Sequence, residues 1–235
     1  MAARKIALFL PSLEGGGAER VFVQLANQFA ASGFLVDLVL ASRKGHYLDE
    51  VAPDVNVVGL GTSGVIRSLP KLVRYLRSSR PEVMLSGLDH ANIVAILALF
   101  LARTRTRGVV SMRSVPTAVY RGDKSIRRWV MLQLIKAFYP FADMIIANSK
   151  AVKSDLSESF RIPTQKLCVI YNPLDMERVN RLSGANIDHP WASADAPPVV
   201  VAVGSLAILK DFPTLVRAFS IVRQERHCRL VILGE

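Results

Sequence analysis

The sequence predicts an α/β protein built on a doubly wound parallel sheet, with a second, smaller unit of the same kind behind it. Three observations predict it. Apolar runs of about four to seven residues recur along the chain and are continuous rather than alternating, as expected of strands covered on both faces. Helical patterns separate most of these runs, which calls for parallel strands joined by right-handed crossovers. Three consecutive glycines, Gly15 to Gly17, follow the first run at the point where a strand would turn into a helix.

Taken in order, Lys5–Leu10 is the first strand, bounded by Pro11. Residues 18–32 form a helix with Val21, Leu25 and Phe29 at helical spacing, and Gly33 closes it. Strands follow at 35–41 and 55–60, then a helix at 69–80 that Pro81 ends. Next come a strand at 83–86, an apolar helix at 91–102 and a strand at 108–111. A helix at 125–139, a strand at 142–147, a helix at 149–160 and a strand at 166–171 complete the first domain, residues 1–182. Residues 183–198 carry Gly, Asn, Asp, Ser and three prolines without a hydrophobic period, and read as a linker. Residues 199–235 form one further unit, with strand Val199–Val203, a helix at 212–223 and strand Arg229–Leu233. So short a unit cannot bury a core unaided. It is expected to be the start of a second domain of a longer protein, or to dock on the first sheet or on another copy.

Composition limits the function. With 235 residues, 51% hydrophobic and 21% charged, the chain is not disordered, collagen-like or low in complexity. Cys168 and Cys228 are too few for a disulfide framework, and His46, His90, His189 and His227 show no metal-ligand spacing. No metal site is expected, and a reducing cytoplasm suits this cysteine usage. The longest apolar run, residues 93–102, is about half the ~20 residues a spanning helix needs. The apolar start is broken by Pro11 and Glu14 and reads as a buried strand, not a signal peptide. The net charge of +11 lies wholly between Arg67 and Lys136, where 14 basic residues face three acidic ones. Such a stretch attracts phosphates of lipid, nucleotide or nucleic acid. It has neither a recognition-helix motif nor an aromatic platform, so nucleic acid is not the expected partner.

Four places can carry chemistry. Gly16 and Gly17 let the backbone turn tightly at a helix N-terminus, where free N–H groups suit a phosphate. Arg20 stands where a dinucleotide fingerprint would need its third glycine, so an anion-facing loop and a plain tight turn both fit. Gly204 and Lys210 repeat the strand-turn-helix arrangement in the second unit. Arg113, in the loop 111–116, leaves a strand at the edge where parallel sheets bind ligands. Asp89 and His90, similarly placed, fit either a helix start or a ligand contact. Finally, Lys124, Arg127, Arg128 and Trp129 open a helix whose cations and aromatics fit an anionic membrane surface or, equally, a solvated face over a core. No nucleophile elbow, Walker loop or carboxylate pair is recognisable, and the catalytic residues are not assigned.

These segments together resemble the group 1, or family four, retaining glycosyltransferases with the GT-B fold of two Rossmann-like domains. The resemblance rests on Gly16-Gly17-Ala18-Glu19-Arg20-Val21, the loop 111–116, Ala147-Asn148-Ser149-Lys150, Val169-Ile170-Tyr171-Asn172-Pro173-Leu174-Asp175, and Val203-Gly204-Ser205-Leu206 with Lys210-Asp211-Phe212. It implies transfer of a sugar from a nucleotide-sugar donor, UDP-linked by expectation, to a lipid-linked or glycan acceptor. It implies no cofactor and no metal. Gly16, Gly17, Ser205 and Lys210 would meet the donor diphosphate, and Asp89, His90 and Arg113 the acceptor. The implied location is the cytoplasm, peripheral on the inner face of the membrane. Two departures stand out: Ser205 where the family usually has arginine, and Arg113 where many relatives have histidine. The family's glutamate pair would fall after Glu235, so weak activity of this chain alone is expected. A non-catalytic membrane-docking module and a GT-B sugar-nucleotide epimerase are the alternatives.

Overall fold

The computed structural model describes residues 4–119, 125–193, 196–207 and 210–234. They form two compact units, Met1–Pro173 and Leu174–Glu235. The division falls ahead of the Leu182 boundary expected from the sequence.

The first unit is a seven-stranded sheet in the order β3-β2-β1-β4-β5-β6-β7. Its strands are β1 (Lys5–Leu10), β2 (Leu35–Leu40), β3 (Val55–Gly59), β4 (Val83–Gly87), β5 (Arg107–Met112), β6 (Met144–Ala147) and β7 (Leu167–Val169). Every pairing is parallel, with Leu8 opposite Leu38 on one side and opposite Leu85 on the other. Chain direction across the sheet reverses between β1 and β4. Such a switch point opens a crevice at the carboxyl ends of the two strands, where open α/β sheets take ligands.

Period-two geometry explains why β1 reads as a continuous apolar run. Ala7 and Phe9 pack on one face with Val39, Leu72, Leu76 and Met84, while Leu8 and Leu10 pack on the other with Phe22, Val23 and Leu38. A further cluster around Val110, Ile135, Ile145 and Leu156 continues the core under β5 and β6.

Helices α1 (Gly17–Ala31), α2 (Leu69–Ser79), α3 (Asp89–Ala102), α4 (Pro116–Val119), α5 (Ile126–Phe138) and α6 (Lys150–Glu158) cover the sheet. α3 is buried over much of its surface, through Ala91, Asn92, Val94, Ala95 and Ala98 among others. Asn92 joins three elements in its interior. It accepts from the Ser86 hydroxyl at 2.8 Å and donates to the Ser111 carbonyl at 3.0 Å and the Tyr139 hydroxyl at 2.9 Å. A second polar group, Asp37 of β2, is 3% exposed. It accepts from Tyr75 at 2.5 Å, Ser79 at 3.1 Å and Asn56 at 2.8 Å, and pairs with Lys5 at 2.9 Å. Burial alone would raise its pKa; the bonds from Tyr75, Lys5 and Asn56 outweigh that and lower it.

The second unit holds α7 (Met176–Ser183), β8 (Val199–Val203), α8 (Phe212–Glu225) and β9 (Arg229–Leu233). β8 and β9 pair in parallel. The sequence reading lacked α7, a two-turn helix that Asp175 caps by accepting from the Arg178 N–H at 2.9 Å. Its apolar Met176, Val179 and Leu182 are all exposed.

Candidate functional site

The loops after β1, β4, β5, β6 and β7 meet at the carboxyl edge of the sheet. The glycine loop after β1 is set by the loop after β2. Leu13 donates its N–H to Lys44 at 2.9 Å, and Lys44 pairs with Glu14 at 2.7 Å. That bond, with one from Ser12, lowers the pKa of Glu14. Gly45 (φ +116°) has no room for a side chain: a Cβ there would run into the Leu13 carbonyl. A Cβ at Gly15 would come within 2.6 Å of His46.

Gly16 is the N-cap of α1, and no side chain caps the helix. A Cβ at Gly17 would meet nothing within 4 Å, so the start of α1 is open on that side, and the helix's first N–H groups carry its positive dipole end. At Gly16 a Cβ would strike the Glu19 carboxylate, which folds back over the turn.

Glu19 also links the glycine turn to the next two loops. Its charge raises the pKa of both His90 and Arg113. For His90 partial desolvation dominates and the net shift is downward, against Asp89 and Glu19. Asp89 starts α3, behind Leu88 at positive φ (+75°), and its carboxylate acts on His90. Arg113 is half-buried, and burial lowers its pKa against the pull of Glu19. Its Nη1 donates to Asn172 after β7 at 2.9 Å, and its carbonyl accepts from Asn148 after β6 at 3.1 Å. Its Nε is buried and without a partner among the described residues, as are Arg20 Nε and Asn148 Oδ1. A guanidinium with a spare, desolvated donor is suited to an anion.

Gly16, Asp89, His90 and Arg113, picked from separate parts of the sequence, therefore share one neighbourhood, with Gly17 at its rim. Glu19, Phe22, Lys44, His46, Asn148 and Asn172 join them there. Of these, Glu19, Asn148 and Asn172 stand in the motifs that carry the family resemblance, while Phe22, Lys44 and His46 had no signal of a site role.

Ser205 and Lys210 belong to the second unit. Gly204 donates to Leu233 at 2.9 Å, and the Lys210 stem lies over Gly204, with Cε 3.4 Å from where a Cβ would stand. Arg127, Arg128 and Trp129 are on α5. Trp129 is 62% exposed beside exposed Ile126 and Val130, while Arg128 donates to the Val119 carbonyl at 3.3 Å. Lys124 lies outside the described residues. Among the described residues no group of histidine, cysteine or carboxylate side chains could hold a metal, and no helix is long and apolar enough to cross a membrane.

Among curated proteins, the chain is 29% identical over 243 residues to the N-acetylgalactosamine-N,N'-diacetylbacillosaminyl-diphospho-undecaprenol 4-alpha-N-acetylgalactosaminyltransferase of Campylobacter jejuni. The match covers 99% of this chain and 63% of that protein, so the chain spans less than two thirds of its relative. Its fold is similar to sucrose-phosphate synthase of Thermosynechococcus elongatus (TM-score 0.70, 18% identity, covering 98% of this chain and 62% of that one). It is also similar to Anabaena HepE, solved with UDP and glucose (TM-score 0.62, 17% identity, 99% and 70% covered). These structures share the GT-B architecture, and at such identities the likeness is one of fold. The model of the family described as Glycosyltransferase Family 4 matches residues 15–178, from the glycine loop to the start of α7. That stretch contains Gly16, Gly17 and the loops after β2, β4, β5, β6 and β7, and the chain belongs to glycosyltransferase family 4.

Proposed function

We propose that the protein takes part in transferring a sugar from a UDP-sugar to a lipid-linked or glycan acceptor, with retention of anomeric configuration and without a metal. The acceptor hydroxyl oxygen bonds to the anomeric carbon as the bond from that carbon to the diphosphate oxygen breaks. The electron pair leaves with the nucleoside diphosphate, and the hydroxyl proton passes to the leaving phosphate or to solvent. Charge therefore accumulates on the diphosphate, and preorganised donors facing it supply much of the rate enhancement in reactions of this type.

The observation that carries this reading is the gathering of Gly16, His90 and Arg113 around Glu19 at the switch point of the sheet. In this reading the N–H groups of α1 at Gly16 and Gly17 bind donor diphosphate, and within the second unit Ser205 and Lys210 are assigned to diphosphate binding. Asp89, His90 and Arg113 bind the acceptor. The Campylobacter relative, whose name specifies a diphospho-undecaprenol acceptor, supports a lipid-linked one here. The exposed Ile126, Trp129 and Val130 beside Arg127 support docking on an anionic membrane from the cytoplasmic side.

Incubation with radiolabelled UDP-sugars and bacterial membrane lipids tests the proposal. Label should enter the organic phase, and chelator should leave the rate unchanged. Where the chain turns over slowly, UDP binding by calorimetry gives a second readout. Conversion of free UDP-sugar to its epimer, with no lipid labelled, would replace this reading with that of an epimerase.

A further inference from the structure

At the opposite, amino edge of the first-unit sheet a cavity of about 960 Å³ opens between the ends of α2 and α3 and the starts of β4 and β5. Six arginines line it: Arg4, Arg77, Arg80, Arg103, Arg105 and Arg107. Glu82 is its one carboxylate. β5 alone separates this edge from the carboxyl-edge site by roughly 20 Å.

Half of the arginines have local work. Helices α2 and α3 both end here, and their C-termini carry partial negative charge that cations complement. Arg77 donates to the Leu101 carbonyl at 2.9 Å, and Arg80 to the Arg77 carbonyl at 3.2 Å. Arg4 pairs loosely with Glu82 at 3.8 Å. The other three, Arg103, Arg105 and Arg107, are exposed, and no hydrogen bond or ion pair holds their side chains among the described residues. Thr104 and Thr106 between them bond to each other through their hydroxyls at 3.1 Å. Both threonines line the same cavity as the arginines that flank them. Arg80 and Arg103 also occupy left-handed helix ends (φ +45° and +53°), where glycine would be unstrained. Both positions instead present a guanidinium to the cavity.

Like charges this close repel, and a ligand of opposite charge relieves the repulsion. Guanidinium forks match phosphate oxygens in geometry. Three stretches of chain, at Arg4, Arg77 to Arg80 and Arg103 to Arg107, bring these guanidiniums to one cavity of about 960 Å³, far more space than one phosphate group fills. We propose that this arginine cleft is a binding site for a ligand carrying two or more closely spaced phosphate groups, separate from the carboxyl-edge site. The phosphates belong to a soluble polyphosphorylated molecule or to neighbouring lipid headgroups; the chemistry of recognition is the same.

The test uses inorganic tripolyphosphate, orthophosphate at equal ionic strength, and vesicles of phosphatidylglycerol or phosphatidylcholine. Binding is read by calorimetry and flotation in the native chain, in Arg105→Gln/Arg107→Gln, and in Arg223→Gln/Arg226→Gln, which removes the same charge from the second unit. All four side chains are exposed, so folding is retained, and melting curves check it. The native chain should bind tripolyphosphate or phosphatidylglycerol at least ~10-fold more tightly than orthophosphate or phosphatidylcholine. Arg105→Gln/Arg107→Gln should weaken that binding at least ~10-fold, the loss of one charge-assisted bond or more. Arg223→Gln/Arg226→Gln should leave it unchanged. Tripolyphosphate binding identifies a soluble ligand, and vesicle binding alone identifies headgroups. Binding that survives Arg105→Gln/Arg107→Gln, falls equally in both variants, or is absent for both probes overturns the proposal.

Discussion

The Arg113 guanidinium lies over the Phe22 ring, 5.4 Å from its centroid. Phe22 comes from α1 and Arg113 from the end of β5, so the contact ties the glycine-loop helix to the centre of the site. The ring is fixed from behind by Gly87, at the end of β4, where a Cβ would stand 2.6 Å from ring atoms. Gly87→Ala should push Phe22 off this seat. The expected cost is about 1–3 kcal/mol, the usual range for overpacking a fixed core, seen as a lower urea midpoint. A midpoint unchanged from the native chain would show that the ring has room to move.

Arg113 itself should matter to function more than to stability. Its Nε has no partner among the described residues, and removing the side chain strands only the Asn172 oxygen, which is near solvent. Arg113→Lys keeps the charge but not the fork, so it should still lose ~10-fold or more in acceptor-dependent kcat/KM. The melting temperature should stay close to that of the native chain. Loss of stability without loss of turnover would make Arg113 a structural residue.

Glu19 raises the pKa of His90 against a downward pull from desolvation. Glu19→Gln deletes one of the two carboxylates that favour the imidazolium and leaves the desolvation in place. The His90 pKa should therefore fall further below its usual range. An NMR titration of the imidazole protons reads this directly, and an unmoved or raised value would remove Glu19 from the neighbourhood of His90.

How much of this was legible beforehand depends on the range over which each feature is decided. β1 announced itself because Leu8 and Phe9, adjacent in sequence, are both fully buried on opposite faces. α7 did not, because its Met176, Val179 and Leu182 are exposed and its eight residues give barely two turns of pattern. Gly16, His90 and Arg113 could be picked as strand-end residues, since a parallel sheet gathers all its carboxyl-end loops on one edge. The bond from Arg113 to Asn172 spans 59 residues, and nothing local in either segment signals it. Lys44 and His46 were invisible for the same reason. They act on the glycine loop only after β2 has paired with β1.

Asp37 gives the fold a pH dependence of defined sign. Its folded pKa lies below the unfolded value of about 3.9, so its contribution is complete above that value and is lost as pH falls through the folded pKa. Tyr75 is shifted the other way, upward, by burial and then by its bond to Asp37. Its contribution is present below about pH 10 and is lost in stronger base. Asp37→Asn should cost roughly 3 kcal/mol at neutral pH, because Lys5 loses its partner in a site that is only 33% exposed. Urea melts between pH 6 and 2 should also show a shallower decline for Asp37→Asn than for the native chain. Parallel declines would place the acid sensitivity elsewhere.

Gly45 gives the most specific handle on the glycine loop, because it touches the loop's backbone and none of the residues assigned to ligand. At φ +116° it adopts a conformation that side-chain-bearing residues rarely enter, and a Cβ would overlap the Leu13 carbonyl. Gly45→Ala therefore meets two penalties at once, a strained backbone and a blocked approach. The chain can relieve them only by moving the loop after β2 away from residues 13–14. That movement breaks the Leu13–Lys44 bond and pulls Lys44 from Glu14, releasing the turn that places Gly16 at the head of α1. Strain of this kind costs about 1–3 kcal/mol. The variant should melt lower and bind UDP at least ~10-fold more weakly, with Arg113 and Glu19 unaltered in sequence. Gly33→Ala is the matched control. Gly33 also has positive φ (+85°) but has nothing within 4 Å of a Cβ, and it sits at the far end of α1. It should lose stability while binding UDP as the native chain does. Equal losses of UDP binding in the two variants would mean that backbone strain anywhere in the unit is enough, and that the Gly45–Leu13 contact has no special hold on the site.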